Sequence, residues 1–73
     1  MSDIFNEMVE KWPSAIVTRT ALPIFTGGLV AESYQANLDS QGQGPERIKI
    51  GRKVAYSTRV YTDWLKTRIE KEG

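Results

Sequence analysis

Ile4, Phe5, Met8, Val9 and Trp12 recur at i, i+1, i+4, i+5 and i+8, which is one stripe of an amphipathic helix. Ser2 or Asp3 is placed to cap its start. Pro13 ends it, because the residue before a proline is pushed out of the α region. Ala15-Ile16-Val17 is a short apolar entry to the next segment, and Thr18 is a candidate N-cap for a short helix from Arg19 to Phe25. Pro23 fits a helix only near its first turn, where the backbone N–H has no intrahelical partner. Thr26-Gly27-Gly28 then closes it with residues able to take positive φ. From Leu29 to Gln41 the seam is Leu29, Val30, Tyr34 and Leu38, with Glu32, Ser33, Gln35, Asn37 and Asp39 on the other faces. Gly42-Gln43-Gly44-Pro45 breaks this third helix.

The period then changes from helical to alternating. Ile48 and Ile50 point one way and Arg47 and Lys49 the other, which predicts a strand. A three-residue loop at Gly51-Arg52-Lys53 places Ile50 opposite Val54 and Ile48 opposite Tyr56, on one apolar face. Lys49 then faces Ala55. The hairpin projects Arg52 and Lys53 from a glycine turn. Ser57 or Thr58 caps a last helix, whose stripe is Val60, Tyr61, Trp64, Leu65 and Ile69. Lys66, Arg68 and Lys71 populate its C-terminal half, as the helix dipole favours.

At 73 residues the chain is expected to form a single domain, 1–73, with 1–13 as an N-terminal helical extension. It has no cysteine and no histidine, so a disulfide framework, a thiolate metal site and the usual neutral-pH general base are all excluded. No metal and no cofactor is expected. An enzyme is not expected either, since no nucleophile–base pair can be assembled and no glycine-rich loop carries a phosphate-binding Lys-Ser/Thr. No apolar run approaches the ~20 residues of a membrane span, and the start lacks the pattern of a signal peptide. A cytoplasmic protein with no membrane partner is expected.

Net charge is +1, but it is unevenly spread. Residues 46–61 hold Arg47, Lys49, Arg52, Lys53 and Arg59 against Glu46, so the positive charge sits in and just after the hairpin. Such a patch on a nearly neutral domain is the footprint of a polyanion partner. It is equally the composition of a solvated hairpin.

A short helix, a glycine turn and a second helix with a polar outer face form the pattern of a helix-turn-helix. Thr26-Gly27-Gly28-Leu29, Gln35-Ala36-Asn37-Leu38, Gly42-Gln43-Gly44-Pro45, the hairpin from Arg47 to Tyr56 and the closing Tyr61-Thr62-Asp63-Trp64-Leu65 occur here in that order. In order and spacing they resemble the excisionase/AlpA-type proteins, small MerR-related winged helix-turn-helix DNA-binding domains of phage and prophage origin. The resemblance runs from about Ile16 to Leu65. It implies an α+β winged helix-turn-helix, with short helices, a two-stranded β-hairpin wing and a C-terminal helix; the N-terminal amphipathic helix is extra. It also implies double-stranded DNA as partner, helix 29–41 in the major groove, and hairpin 47–56 as the wing. Helices of that family often carry arginines, whereas here Glu32 and Asp39 flank the helix and no cation lies within it.

Ser33, Gln35 and Asn37 are the candidate base-reading residues, since Asn and Gln pair bidentately with adenine and Ser meets several base edges. Ser33 and Asn37, at i and i+4, share a face, whereas Gln35 and Asn37 are about 200° apart. The bland alternative for all three is a solvated helix surface. Tyr34 continues the apolar seam and is expected in the core. Lys49, Arg52 and Lys53 are the wing candidates, and Arg19, Arg47 and Arg59 weaker backbone contacts. With so few cations a single copy is expected to bind weakly, so an integrase or recombinase, or further copies on DNA, are candidate partners. The role is expected to be recombination directionality or transcription regulation. The alternative is a protein-interaction module that uses the N-terminal helix to bind a recombinase or to self-associate.

Overall fold

Helix α1, Ile4–Lys11, is capped by Asp3, whose carboxylate accepts the Phe5 N–H at 3.0 Å. It stops at Trp12, held extended (φ −78°, ψ 127°) by the proline that follows. The computed structural model describes residues 3–69; Ser2 and Lys71, named above as cap and basic end, lie outside them. Phe5, Met8 and Trp12 pack against the core from α1, which lies along the last helix. Trp12 meets Phe25 edge-on with ring centroids 5.1 Å apart, and its indole N–H donates to the Ile16 carbonyl at 2.9 Å.

The short apolar entry is a strand, β1, Ile16–Thr18. Arg19–Ala21 then form a 3-10 turn that runs straight into a single α-helical turn, α2, Leu22–Phe25, with Pro23 at its start. Thr18 does not cap it; its hydroxyl lies 3.2 Å from that of Thr20. Gly27 (φ 65°) and Gly28 (φ 92°) turn the chain in a region that a Cβ disfavours. Thr26 stabilises this turn internally. Its hydroxyl donates to the Leu22 carbonyl at 2.7 Å and accepts the Val30 N–H at 3.0 Å.

Helix α3 spans Glu32–Ser40, shorter at both ends than the expected 29–41. Strands β2, Ile48–Ile50, and β3, Lys53–Ser57, form the hairpin, and helix α4, Thr58–Arg68, closes the chain behind a Ser57 cap. The sheet is antiparallel in the order β1-β3-β2. Among the described residues the fold is thus α+β, four α-helices on a three-stranded sheet, and no helix is long and apolar enough to cross a membrane.

The hairpin register differs from the expected one. Ile50 pairs with Lys53, Lys49 with Val54 and Ile48 with Ala55, so the loop is Gly51-Arg52 alone. Turn chemistry explains the difference. A two-residue loop with positive φ at its first position (Gly51, 59°) and no positive φ at the second matches the twist of the flanking strands. Apolar burial does not oppose it, since all three β2 residues are exposed. Cross-strand partners share a face. Ile48 (47% exposed) and Ile50 (77%) therefore share the face of the buried Ala55 and of Lys53, not that of Tyr56.

Strand β3 is central and is fixed from its other side, with Val17 opposite Tyr56. Val17, Leu22, Phe25, Val30, Tyr56, Tyr61 and Leu65 make the core. Complete burial stabilises by roughly 1.5–3 kcal/mol for a side chain such as Leu22, which outweighs the loss at any one exposed Ile. Tyr34 departs from expectation: it is 52% exposed, because α3 turns Leu38 and two polar residues inward instead.

Candidate functional site

The inward face of α3 is unusual for a short helix, since beside Leu38 it buries Gln35 and Asp39. Burying a carboxylate and a carboxamide costs several kcal/mol unless their hydrogen bonds are satisfied. Here they are. Asp39 accepts from the Arg19 guanidinium (2.6 Å), from the Tyr56 hydroxyl and from the Gln35 amide (3.2 Å). The Gln35 carbonyl oxygen accepts the Tyr61 hydroxyl at 2.9 Å, and Arg19 also donates to Tyr56 at 3.2 Å. Among the described residues no buried side-chain polar atom lacks a partner.

This cluster ties four parts of the chain together: the 3-10 turn, α3, β3 and α4. Burial would lower the basicity of Arg19, but its hydrogen bonds to Tyr56 and Asp39 outweigh that and keep the guanidinium charged. Burial, and then donation to Asp39, push the Tyr56 hydroxyl up to about 12. Burial pushes Tyr61 up as well.

Gln35 is therefore not a surface residue. It is 0% exposed and both ends of its amide are occupied inside the protein, so it holds α3 in place and offers nothing to an outside base. Arg19 is similarly engaged: its bonds to Asp39 and Tyr56 anchor a guanidinium expected as a weaker DNA-backbone contact.

The outward face of α3 carries Glu32, Ser33, Asn37 and Ser40, all exposed, with Ala36 partly so. Beside it the hairpin tip presents Arg52 and Lys53, both exposed. The two meet across a hollow of about 380 Å³, lined by Thr18, Arg19, Thr20, Glu32, Arg52 and Lys53 together with Val54. A second, shallower hollow of about 430 Å³ continues from Arg19 and Glu32 to Ser33 and Ala36. Of the expected residues, these hollows bring together Arg19, Ser33, Arg52 and Lys53. Asn37, Arg47, Lys49 and Arg59 are exposed but line neither.

Chemically the first hollow suits an anion. Two free cations, Arg52 and Lys53, and two threonine hydroxyls border it, Arg19 is already paired with Asp39, and one carboxylate, Glu32, opposes. Among the described residues no group of three or more acidic side chains is placed to hold a metal ion. Glu32, Thr18 and Thr20 were not among the sequence candidates. Nothing local marks them, because Thr18 and Thr20 approach Arg52 and Lys53 through the β1–β3 pairing, and Glu32 through the packing of α3 on the 3-10 turn. The inward turn of Asp39 did have a signal: Gln35 and Asp39 are four apart and flank Leu38, with Arg19 upstream as a counter-ion.

A scan against protein-family models and searches of curated proteins and of solved structures found no match for this chain.

Proposed function

We propose that this protein binds double-stranded DNA as an excisionase-like winged helix-turn-helix. In this reading α2, the glycine turn and α3 are the helix-turn-helix, α3 enters the major groove by its outer face, and the β2–β3 hairpin is the wing. The observation that carries it is the continuous surface from the hairpin tip, across the Arg19–Glu32 hollow, to Ser33 and Ala36 on α3. That surface sets cations for the backbone beside a helix face of small and polar side chains for base edges.

Arg52 and Lys53 take phosphate or minor-groove contacts, with Lys49, Arg47 and Arg59 as outlying backbone contacts. Gln35 and Asp39 orient the helix from within. So few cations make a single copy a weak, salt-sensitive binder, which suits a factor acting in several copies or beside a recombinase. Recombination directionality and transcription regulation are the two roles such binding serves.

The test is Arg52→Ala with Lys53→Ala, measured by fluorescence anisotropy on random-sequence duplex at several salt concentrations. Affinity should fall for every sequence, and the salt slope should flatten by about two, roughly 0.9 per lost phosphate contact. A double variant that keeps its folded spectrum, its affinity and its slope refutes the proposal.

A further inference from the structure

We infer that the outer face of α3 reads an A·T base pair, with Asn37 on the adenine and Ala36 against the methyl group of a neighbouring thymine. This rests on the DNA-binding reading above and sharpens it to a class of target sequence.

Ser33, Ala36, Asn37 and Ser40 fall at i, i+3, i+4 and i+7 and form the outward stripe of the helix. Three of the four are small, so the stripe is low and lets the helix backbone approach a groove floor closely. Asn37 alone projects a paired donor and acceptor from it. Ser40 is spoken for, because its hydroxyl donates to the Asn37 backbone carbonyl at 2.8 Å. Among the described residues no partner hydrogen-bonds the side chains of Ser33 or Asn37, so both are free for a ligand.

The chemistry of the stripe selects among bases. Guanine is read by Arg or Lys on its O6 and N7. Helix α3 has neither, and Arg19, the cation bordering Ser33 and Ala36, is pinned to Asp39 and Tyr56. An exposed carboxamide matches adenine, giving one bond to N7 and one from N6. A methyl side chain next to it matches the C5-methyl of thymine. Ala36 is partly exposed and adjoins Asn37, about 100° round the helix, which suits a neighbouring base pair.

The experiment enriches duplexes from a random pool on the full-length protein, then compares the enriched site with two modified forms. One carries 7-deaza-adenine, which lacks N7; the other carries deoxyuracil, which lacks the methyl group. The expected site contains an invariant A·T pair at which 7-deaza-adenine, by removing one of the two bonds, weakens binding about threefold. Asn37→Ala, which removes both, should weaken the unmodified site about tenfold and be indifferent to 7-deaza-adenine at that pair. Deoxyuracil next to it should cost a smaller factor, about threefold, in both proteins.

An enriched site held by G·C pairs, or a 7-deaza-adenine effect that persists undiminished in Asn37→Ala, overturns the assignment. Binding to all duplexes without enrichment overturns it too and leaves the DNA-binding reading standing. Retention of no duplex at all refutes both.

Discussion

Asp39→Ala removes the acceptor on which the buried cluster converges. In the folded protein the Asp39 side chain is 2% exposed, and it takes bonds from Arg19, Tyr56 and Gln35. Tyr56 and Gln35 are both fully buried, so neither can turn to water when the carboxylate is gone. Each orphaned neutral donor costs about 1–3 kcal/mol. Arg19 suffers less, since a fifth of its side chain is exposed and its charge can swing toward solvent. The two donors together cost about 2–6 kcal/mol, and a loss of about 3 kcal/mol is also the low end of the roughly 3–5 kcal/mol for removing one partner of a buried ion pair. A chain of this length is stabilised by about 4–11 kcal/mol in all, so the loss is a large share of it. With a urea slope near ~1 kcal/mol/M, the unfolding midpoint falls by about 3 M. The assay is urea unfolding followed by tryptophan fluorescence, with Asn37→Ala as control. Asn37 is exposed on the same helix, and its truncation should stay within about 0.5 kcal/mol. If Asp39→Ala costs less than ~1 kcal/mol, or no more than the control, the cluster is not what holds α3 in place.

Three other outcomes follow from the packing. A Cβ at Gly44 would lie 1.8 Å from the Asp39 Oδ1 and 3.3 Å from the Gln35 amide nitrogen, so Gly44→Ala should cost about 2–3 kcal/mol in wild type and far less in an Asp39→Ala background. Equal costs in the two backgrounds would show that the clash lies elsewhere. Stability should hold below pH 10 and fall as pH rises through about 12, because unfolded tyrosines release protons near pH 10 that folded Tyr56 retains. Urea midpoints that do not change between about pH 9 and about pH 11.5 contradict this, and Tyr56→Phe should reduce the slope. Phe5→Ala with Trp12→Ala should lower the melting temperature by at least about 10 °C, since both side chains pack on the core. An unchanged melting temperature would mark α1 as a docking face instead.

Helices α1 and α4 were legible because their apolar stripes follow one period, and the breaks at Pro13, Gly27-Gly28 and Gly42 to Pro45 because those residues restrict the backbone locally. What escaped depends on distant partners. Strand β1 reads only as an apolar entry, since nothing nearby reveals its pairing with β3, some 40 residues on. The hairpin itself was readable but its register was not. Pairing Ile50 with Val54 assumes that both seek a core, whereas β2 extends beyond it and the glycine turn decides. Gln35 was misplaced for a related reason: a polar residue reads as exposed until Tyr61 and Asp39 are seen to satisfy it. The hairpin-tip cations were found from local pattern alone, because glycine at a turn and alternation along a strand are local facts.

Seven of the nine residues of α3 fall into two sets that do not overlap. Gln35, Leu38 and Asp39 carry the helix's attachment to the rest of the molecule, and Ser33, Ala36, Asn37 and Ser40 carry none of it. Mutation can therefore explore the second set without risking the first. Substitutions at Ser33, Ala36, Asn37 or Ser40 leave the buried hydrogen bonds of Gln35 and Asp39 in place. The inherited scaffold stays constant while its outward lettering drifts.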